Sequence, residues 1–303
     1  MSSPSRSKTK DLCIAFLSNR NLLFGFTVIL VILALSVLVP WLLNLDPLQV
    51  SARNRLKGPS FEHWLGTDTF GRDLAARIMA GAVTSLTLAA QVTLLSSLLG
   101  SLLGIAAGYF TVLDGILMRI CDGLLAIPGI MLAVALTAAF GPSVNNLILA
   151  LVIVFTPNIA RVVRSRALAV KSETFVHASV AMGASPWHIM WKHIFPNTLS
   201  VLVVQATYIF ADTIIVEAAL SFLGAGVPTP QPSWGNILYD GKTVITRAPH
   251  MVLFASAALI LTVIALNIAG DGLRDAVDPK KRVTKVRGFF GLGAKTPTPE
   301  IAP

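Results

Sequence analysis

The chain has 303 residues, of which 54% are hydrophobic and only 13% charged, and its 24 Lys and Arg outnumber its 15 Asp and Glu. A soluble domain is about 45–50% apolar and about 25% charged, so too few charges are present to cover a water-facing surface. The apolar residues stand in long uncharged blocks, which excludes a pair of ordinary soluble domains and places the chain in a bilayer.

In chain order, residues 1–21 are expected to form a cytoplasmic tail whose segment 11–19, with Leu12, Cys13, Ile14, Phe16 and Leu17, lies as a short helix on the membrane surface. Residues 22–43 are an uncharged run long enough to cross about 30 Å of hydrocarbon, which takes about 20 helical residues. A cleavable signal is the rival reading, but the run exceeds the usual apolar region and no small-x-small site follows it. The second span is placed at about 84–110. It carries Gly100, Gly104 and Gly108, a smooth strip that lets another helix approach closely, within the chain or on a partner. Residues 123–160 are again uncharged but too long for one crossing. The turn cluster Gly141-Pro142-Ser143-Val144-Asn145-Asn146 divides them into spans three and four. Spans five and six fall at about 199–223 and 248–270. The membrane domain thus covers 22–270, including a cytoplasmic loop over 164–197, and 271–303 form a cytoplasmic tail, disordered after about 283, where Gly, Pro, Thr and Lys occur without apolar period.

Basic residues orient the spans. With both ends inside, the outer loops hold Arg53, Arg55, Lys57, Arg72, Arg77, Lys242 and Arg247, and the other seventeen Lys and Arg are cytoplasmic. The fold class is therefore all-α: a six-span polytopic membrane protein with both termini in the cytoplasm. The basic excess sits at span ends, as topology charge against anionic lipid does, and not on the aromatic-studded face that nucleic acid requires. Cys13 and Cys121 both fall on the reducing side, so no disulfide is expected.

Catalytic signals are missing. The chain has no G-x-x-x-x-G-K-[ST] phosphate loop, no H-E-x-x-H and no G-x-S-x-G. His177, His188 and His193 are spaced by eleven and five, off any common helical face, and no thiolate or carboxylate completes a metal set. Asp212 and Glu217 lie in the outer half of the fifth span, where an ionisable group is a functional candidate. Two readings stand: a place in a translocation path or outer gate, or a structural role at the outer interface or a wet cavity.

The segment between spans four and five carries the densest signals. Ser172 is expected to cap a short helix whose apolar face is Phe175, Ala178, Ser179 and Met182. Gly183 ends it and Ala184 follows. Ser185-Pro186 restarts a helix with a cap and a first-turn proline, and Trp187, Met190, Trp191 and Ile194 form its apolar face before Phe195-Pro196-Asn197 closes the unit. From the residues alone this is either a docking knob for a soluble partner or an interfacial packing element.

At these residues the chain resembles the coupling loop of bacterial ABC-importer permeases, written E-A-A, three residues, Gly, nine residues, Ile-x-Leu-Pro. Ala178, Gly183 and Pro196 match, whereas His177 takes the Glu position, Ser179 the second Ala, His193 the Ile and Phe195 the Leu. Three further segments are similar to the dipeptide/oligopeptide/nickel branch: His63-Trp-Leu-Gly-Thr-Asp68-Thr-Phe-Gly71-Arg72-Asp73; Glu217-Ala-Ala-Leu-Ser-Phe-Leu-Gly224 with Pro232-Ser-Trp234-Gly235; and Gly270-Asp271-Gly272-Leu-Arg274-Asp275-Ala-Val-Asp278-Pro279. The resemblance runs over about 19–282 and is greatest to the second, shorter permease of the pair.

This resemblance implies a type I ABC importer permease in the bacterial inner membrane, paired with a homologous second permease. It further implies two ATP-binding subunits that hold ATP and Mg and do all the hydrolysis, and an extracytoplasmic substrate-binding protein. No cofactor, metal or catalytic residue is expected on this chain. Phe175, Ala178, Ser179, Met182, Gly183, Ala184, Pro186, Trp187 and Pro196 would make the ATPase-coupling unit. The cargo is left open among dipeptides, oligopeptides, nickel complexes and glutathione-like molecules. A stand-alone secondary transporter is the alternative; it would show inverted repeats, and none is visible between 1–150 and 151–303.

Overall fold

A computed structural model describes residues 19–277. The interfacial helix expected over 11–19, apart from Asn19, lies outside the described residues, as do Cys13 and the tail beyond Val277. Within them the chain is helical, and only a single bridge between Thr67 and Asp73 has strand geometry.

Helix α1, Arg20–Leu43, starts at Asn19, whose side chain accepts from the backbone N–H groups of Asn21 and Leu22. It ends at Asn44, which takes the left-handed conformation that Asn tolerates (φ 48°). Its side chains, Phe24, Phe26, Leu30 and Trp41 among them, are largely exposed, as suits a helix facing lipid.

Helix α2, Leu74–Tyr109, has 36 residues and begins ten residues before the predicted second span. The charge of Arg77 made that stretch read as loop. In the fold Arg77 is buried and paired with Asp68, and Asp73 caps the helix through Ala76 N–H, so the first turns remain helical.

The predicted third span is broken. Helix α3, Thr111–Leu125, and helix α4, Gly129–Phe140, meet at 92°. Pro128 supplies no backbone donor and disfavours helical geometry at Ile127, so the ladder stops there. Among the described residues five helices are long and apolar enough to cross a membrane, and the bent pair makes six when counted as one span.

Helix α5, Val144–Lys171, is the fourth span and runs ten residues past Arg161. The arginines that marked its predicted end are accommodated: Arg161 pairs with Asp122 and Arg164 with Asp114, tying α5 to α3. The short α6, Thr174–Ala181, and α7, Pro186–Ile189, follow. A π-turn over Met190–Ile194 then joins α7 to α8, Phe195–Phe222.

Phe195-Pro196-Asn197 therefore does not close the unit. Pro196 falls in the first turn after the π-turn, where its missing donor is tolerated, and Asn197 Nδ2 donates to His193 O at 2.7 Å. Helix α9, Trp234–Lys242, lies across the end of the bundle that carries residues 44–73. Helix α10, Pro249–Val277, continues seven residues beyond the predicted end of span six. Its last turns dock on the start of α1, where Asn19 Nδ2 donates to Gly272 O, and on α8, where Tyr208 Oη donates to Asp271 Oδ1.

Among the described elements the α2–α5 pair is the most extensively packed. Gly100, Gly104 and Gly108 face Ile159, Ala160 with Val163, and Ala167 respectively. The strip thus serves packing inside this chain, against α5. Around it Leu88, Val92, Leu151, Ile159 and Val163 make the main apolar core.

Candidate functional site

Segment 172–197 is built by local chain chemistry. Ser172 does not cap α6. Its N–H bonds Leu168 O and its hydroxyl donates to Ala169 O, so it terminates α5, and α6 begins at Glu173 without a side-chain cap. Gly183 (φ 80°) ends α6 with paired backbone bonds: its N–H donates to Val180 O and the Ala184 N–H to Ser179 O. This is the Schellman ending, which needs a left-handed residue at that position. Ser185 Oγ then accepts from His188 N–H and Pro186 occupies the first turn, as the sequence predicted.

The packed face of α6 differs from the predicted one. Val176 and Ser179 are buried, and Ser179 Oγ lies 3.3 Å from His193 Nε2, which clips α6 to the π-turn. Phe175, Ala178 and Met182 point outward, Met182 being 80% exposed. In the second half Ile189, Met190 and Ile194 are buried, whereas Trp187 (67% exposed) and Trp191 stand outside, edge to face at 6.0 Å. Pro196 is exposed and Ala184 partly buried. Together Trp187, Trp191 and Phe195 wall an apolar pocket of about 400 Å³ against Leu98, Leu102 and Phe110. The physical reason for the shift is that a helix this short buries whichever side meets the bundle; Met182 is left outward, and Phe175 is exposed with its ring tilted near that of His193, at 5.7 Å.

His188 and His193 approach to 5.8 Å, but His177 is not brought to them, and no group of three potential metal ligands exists among the described residues.

The two acids of α8 have different surroundings. Glu217 has 0% exposure and accepts from Ser85 Oγ of α2 at 2.9 Å and from Ser221 Oγ at 2.7 Å. Ser221 Oγ in turn accepts from Val227 N–H. Glu217 thereby joins α2, α8 and the loop after α8 through a buried, hydrogen-bonded network. Asp212 is exposed on the opposite side of α8. A cavity of about 680 Å³ opens beyond α8 between Thr137, Ser143, Ser221, Asn236 and Tyr239.

Sequence reading missed a second polar cluster, under α9. Asp68 is 1% exposed and accepts four bonds: Phe70 and Arg72 N–H on Oδ1, Arg72 Nε (2.6 Å) and an Arg77 guanidinium nitrogen (2.7 Å) on Oδ2. Both arginines also reach Asp240 of α9 at 3.4 Å. Burial pushes the Asp240 carboxyl above the usual carboxylate range, Arg72 pulls it back and Asp68 pushes it further up. The signal lay in the segment 68–77, where Asp68, Arg72, Asp73 and Arg77 alternate in charge, but the partner Asp240 is 168 residues from Arg72. Asp68→Asn leaves two buried guanidinium groups with only the more distant Asp240 as counter-charge, which should cost about 3–5 kcal/mol. Faster proteolysis within 44–73 and a lowered unfolding midpoint of the purified chain are the expected results.

Residues 96–283 match the model of the family described as binding-protein-dependent transport system inner membrane component. A dipeptide transport system permease protein of Alkalihalophilus pseudofirmus is 40% identical over 265 residues, covering 87% of each chain. A glutathione transport system permease protein of Pectobacterium atrosepticum is 41% identical over 254 residues, covering 83% of this chain and 84% of that one. Among solved structures, a chain of the inward-facing MetNI methionine ABC transporter superposes with a TM-score of 0.57 at 24% identity, covering 67% of this chain and 96% of that chain, and so shares the fold. With its apolar spans, its family match and these relatives, the chain belongs to the inner-membrane permease components of binding-protein-dependent ABC transporters.

Proposed function

We propose that this chain is one of two homologous permeases in a peptide importer. Both its ends are cytoplasmic, and its segment 172–197 docks separate ATP-binding subunits that hold ATP and Mg. Peptide cargo is favoured by the dipeptide permease among its relatives; the family description supports delivery by an extracytoplasmic binding protein. Neither cofactor nor covalent chemistry is assigned to this chain.

The observation that carries the reading is the continuity of the segment with the fifth span. Pro186–Phe222 forms one helical run of 37 residues, about 55 Å long at about 1.5 Å per residue. A displacement applied at Trp187 is transmitted along this rod to the depth of Asp212 and Glu217. Outward-facing Phe175, Met182 and Trp187 give a soluble partner an apolar anchor. Nucleotide binding by that partner can then bias the permease between inward- and outward-open states through contacts that differ in each.

Purified alone, the chain should hydrolyse no ATP above background. Met182→Asp alters a side chain that already stands in solvent, so the chain should accumulate normally. Co-purification of the ATP-binding subunits and peptide uptake should each fall more than tenfold. Undiminished co-purification would remove the docking assignment.

A further inference from the structure

The two acids of α8 were equivalent in sequence and are not equivalent in the fold. Every oxygen of Glu217 is engaged by serine hydroxyls inside the bundle. Asp212 sits five residues earlier in the same span, and among the described residues it has neither a hydrogen bond nor an ion pair. The packed side of α8 is drawn by Ile209, Thr213, Ile214, Glu217 and Leu220, all buried. Asp212 and Ile215 lie away from it, exposed. Gln205 shares the face of Asp212, two turns earlier, since seven residues bring a helix back to within about 20°.

This pattern is unusual for a face turned to lipid. The basic groups of α5 are all engaged: Arg161 and Arg164 with acids, Arg166 with Asn197 O, Lys171 with Tyr109 O. Within a bilayer, an ionised carboxylate left without water or a counter-charge is costly, and such groups face a bundle interior or a wet passage. Asp212 therefore marks the side of α8 that meets water during transport.

We infer that Asp212 is a charge-selecting residue of the translocation path, favouring cargo that carries an ammonium group and disfavouring cargo with an added carboxylate. The inference rests on the reading of this chain as a peptide permease. A fixed charge in a partly desolvated passage acts on a passing charge far more strongly than the same charge in bulk water. A carboxylate held on a rigid helix thus sorts peptides by net charge without contacting their apolar parts. Glu217, satisfied and enclosed, plays no part in this selection.

The test measures uptake of radiolabelled Ala-Lys-Ala and Ala-Glu-Ala by cells carrying the complete transporter, with wild-type chain, Asp212→Asn, Asp212→Glu, or no chain. The binding protein is identical in every strain, so its own preference cancels when the Lys-to-Glu uptake ratio is compared between strains. The ratio is expected to fall at least tenfold in Asp212→Asn and to stay near wild type in Asp212→Glu. Asp212→Ser repeats the measurement if Asp212→Asn does not accumulate in the membrane. An unchanged ratio in the neutral variant overturns the inference. Loss of both peptides alike, with normal chain abundance, also overturns it, because the acid would then be holding a fixed protein group. If the wild type takes up neither peptide above the strain lacking the chain, it is the peptide-permease reading that fails instead.

Discussion

Gly104→Leu is expected to abolish accumulation of folded chain. A Cβ at position 104 would lie 2.6 Å from Ala160 O, 2.8 Å from Val163 Cβ and 3.0 Å from Arg164 N. Two of these atoms are backbone and cannot rotate away, so α2 and α5 must separate. Apolar side chains gain little from leaving lipid for a protein interior, so membrane helices depend on close van der Waals contact. Moving α2 outward loosens Ile159 and Val163, both at 0% exposure, along with the core between them. Overpacking costs about 1–3 kcal/mol where neighbours can yield. Here they cannot, and a loss of about 3–5 kcal/mol is a large share of the about 5–15 kcal/mol that holds a domain together. Membrane abundance and the thermal midpoint of the detergent-purified chain both read this, and Gly104→Ala should fall between wild type and Gly104→Leu. Normal abundance and midpoint for the leucine variant would show that the α2–α5 approach is not needed.

Gly183→Val is expected to lower transport more than tenfold while leaving the chain in the membrane at its normal level. Space is not the obstacle, since nothing lies within 4 Å of a Cβ built at Gly183. The obstacle is the backbone. At φ 80° a β-branched side chain meets its own carbonyl, and the left-handed conformation costs about 1–2 kcal/mol for an ordinary L-residue. Relaxing that strain breaks the Schellman bonds from Gly183 and Ala184 and re-aims α6, with Phe175 and Met182, relative to α7 and Trp187. Gly183→Asn, which tolerates the left-handed region, should retain most of the activity. Equal loss in the two variants would point to the side chain's volume at the docking face, and wild-type uptake by Gly183→Val would remove the coupling role of this turn.

The turn at Gly183 and the cap at Ser185-Pro186 were legible in the sequence because both are local: each is decided by a residue's own backbone preference and its next few neighbours. The bend at Pro128 was equally local but was passed over, because the uncharged block hid it within a longer apolar run. The outward face of α6 was not legible. Phe175, Ala178 and Met182 share a helical face in any model of the segment, but whether that face is buried depends on what lies across from it, and Val176 and Ser179 meet the π-turn instead.

Composition settled the solvent. A chain with 54% hydrophobic and 13% charged residues, arranged in uncharged blocks, has to lie in a membrane, because the free energy of transferring such blocks from water is additive along the chain and indifferent to contacts. Contacts settled the rest. Arg77 read as loop until Asp68 was found beside it, the glycine strip had no assigned neighbour until α5 filled it, and Asp212 and Glu217 were interchangeable until two serines engaged one and none the other. In each case the partner is distant in sequence, and a buried charge or a close helix approach takes its meaning from that partner.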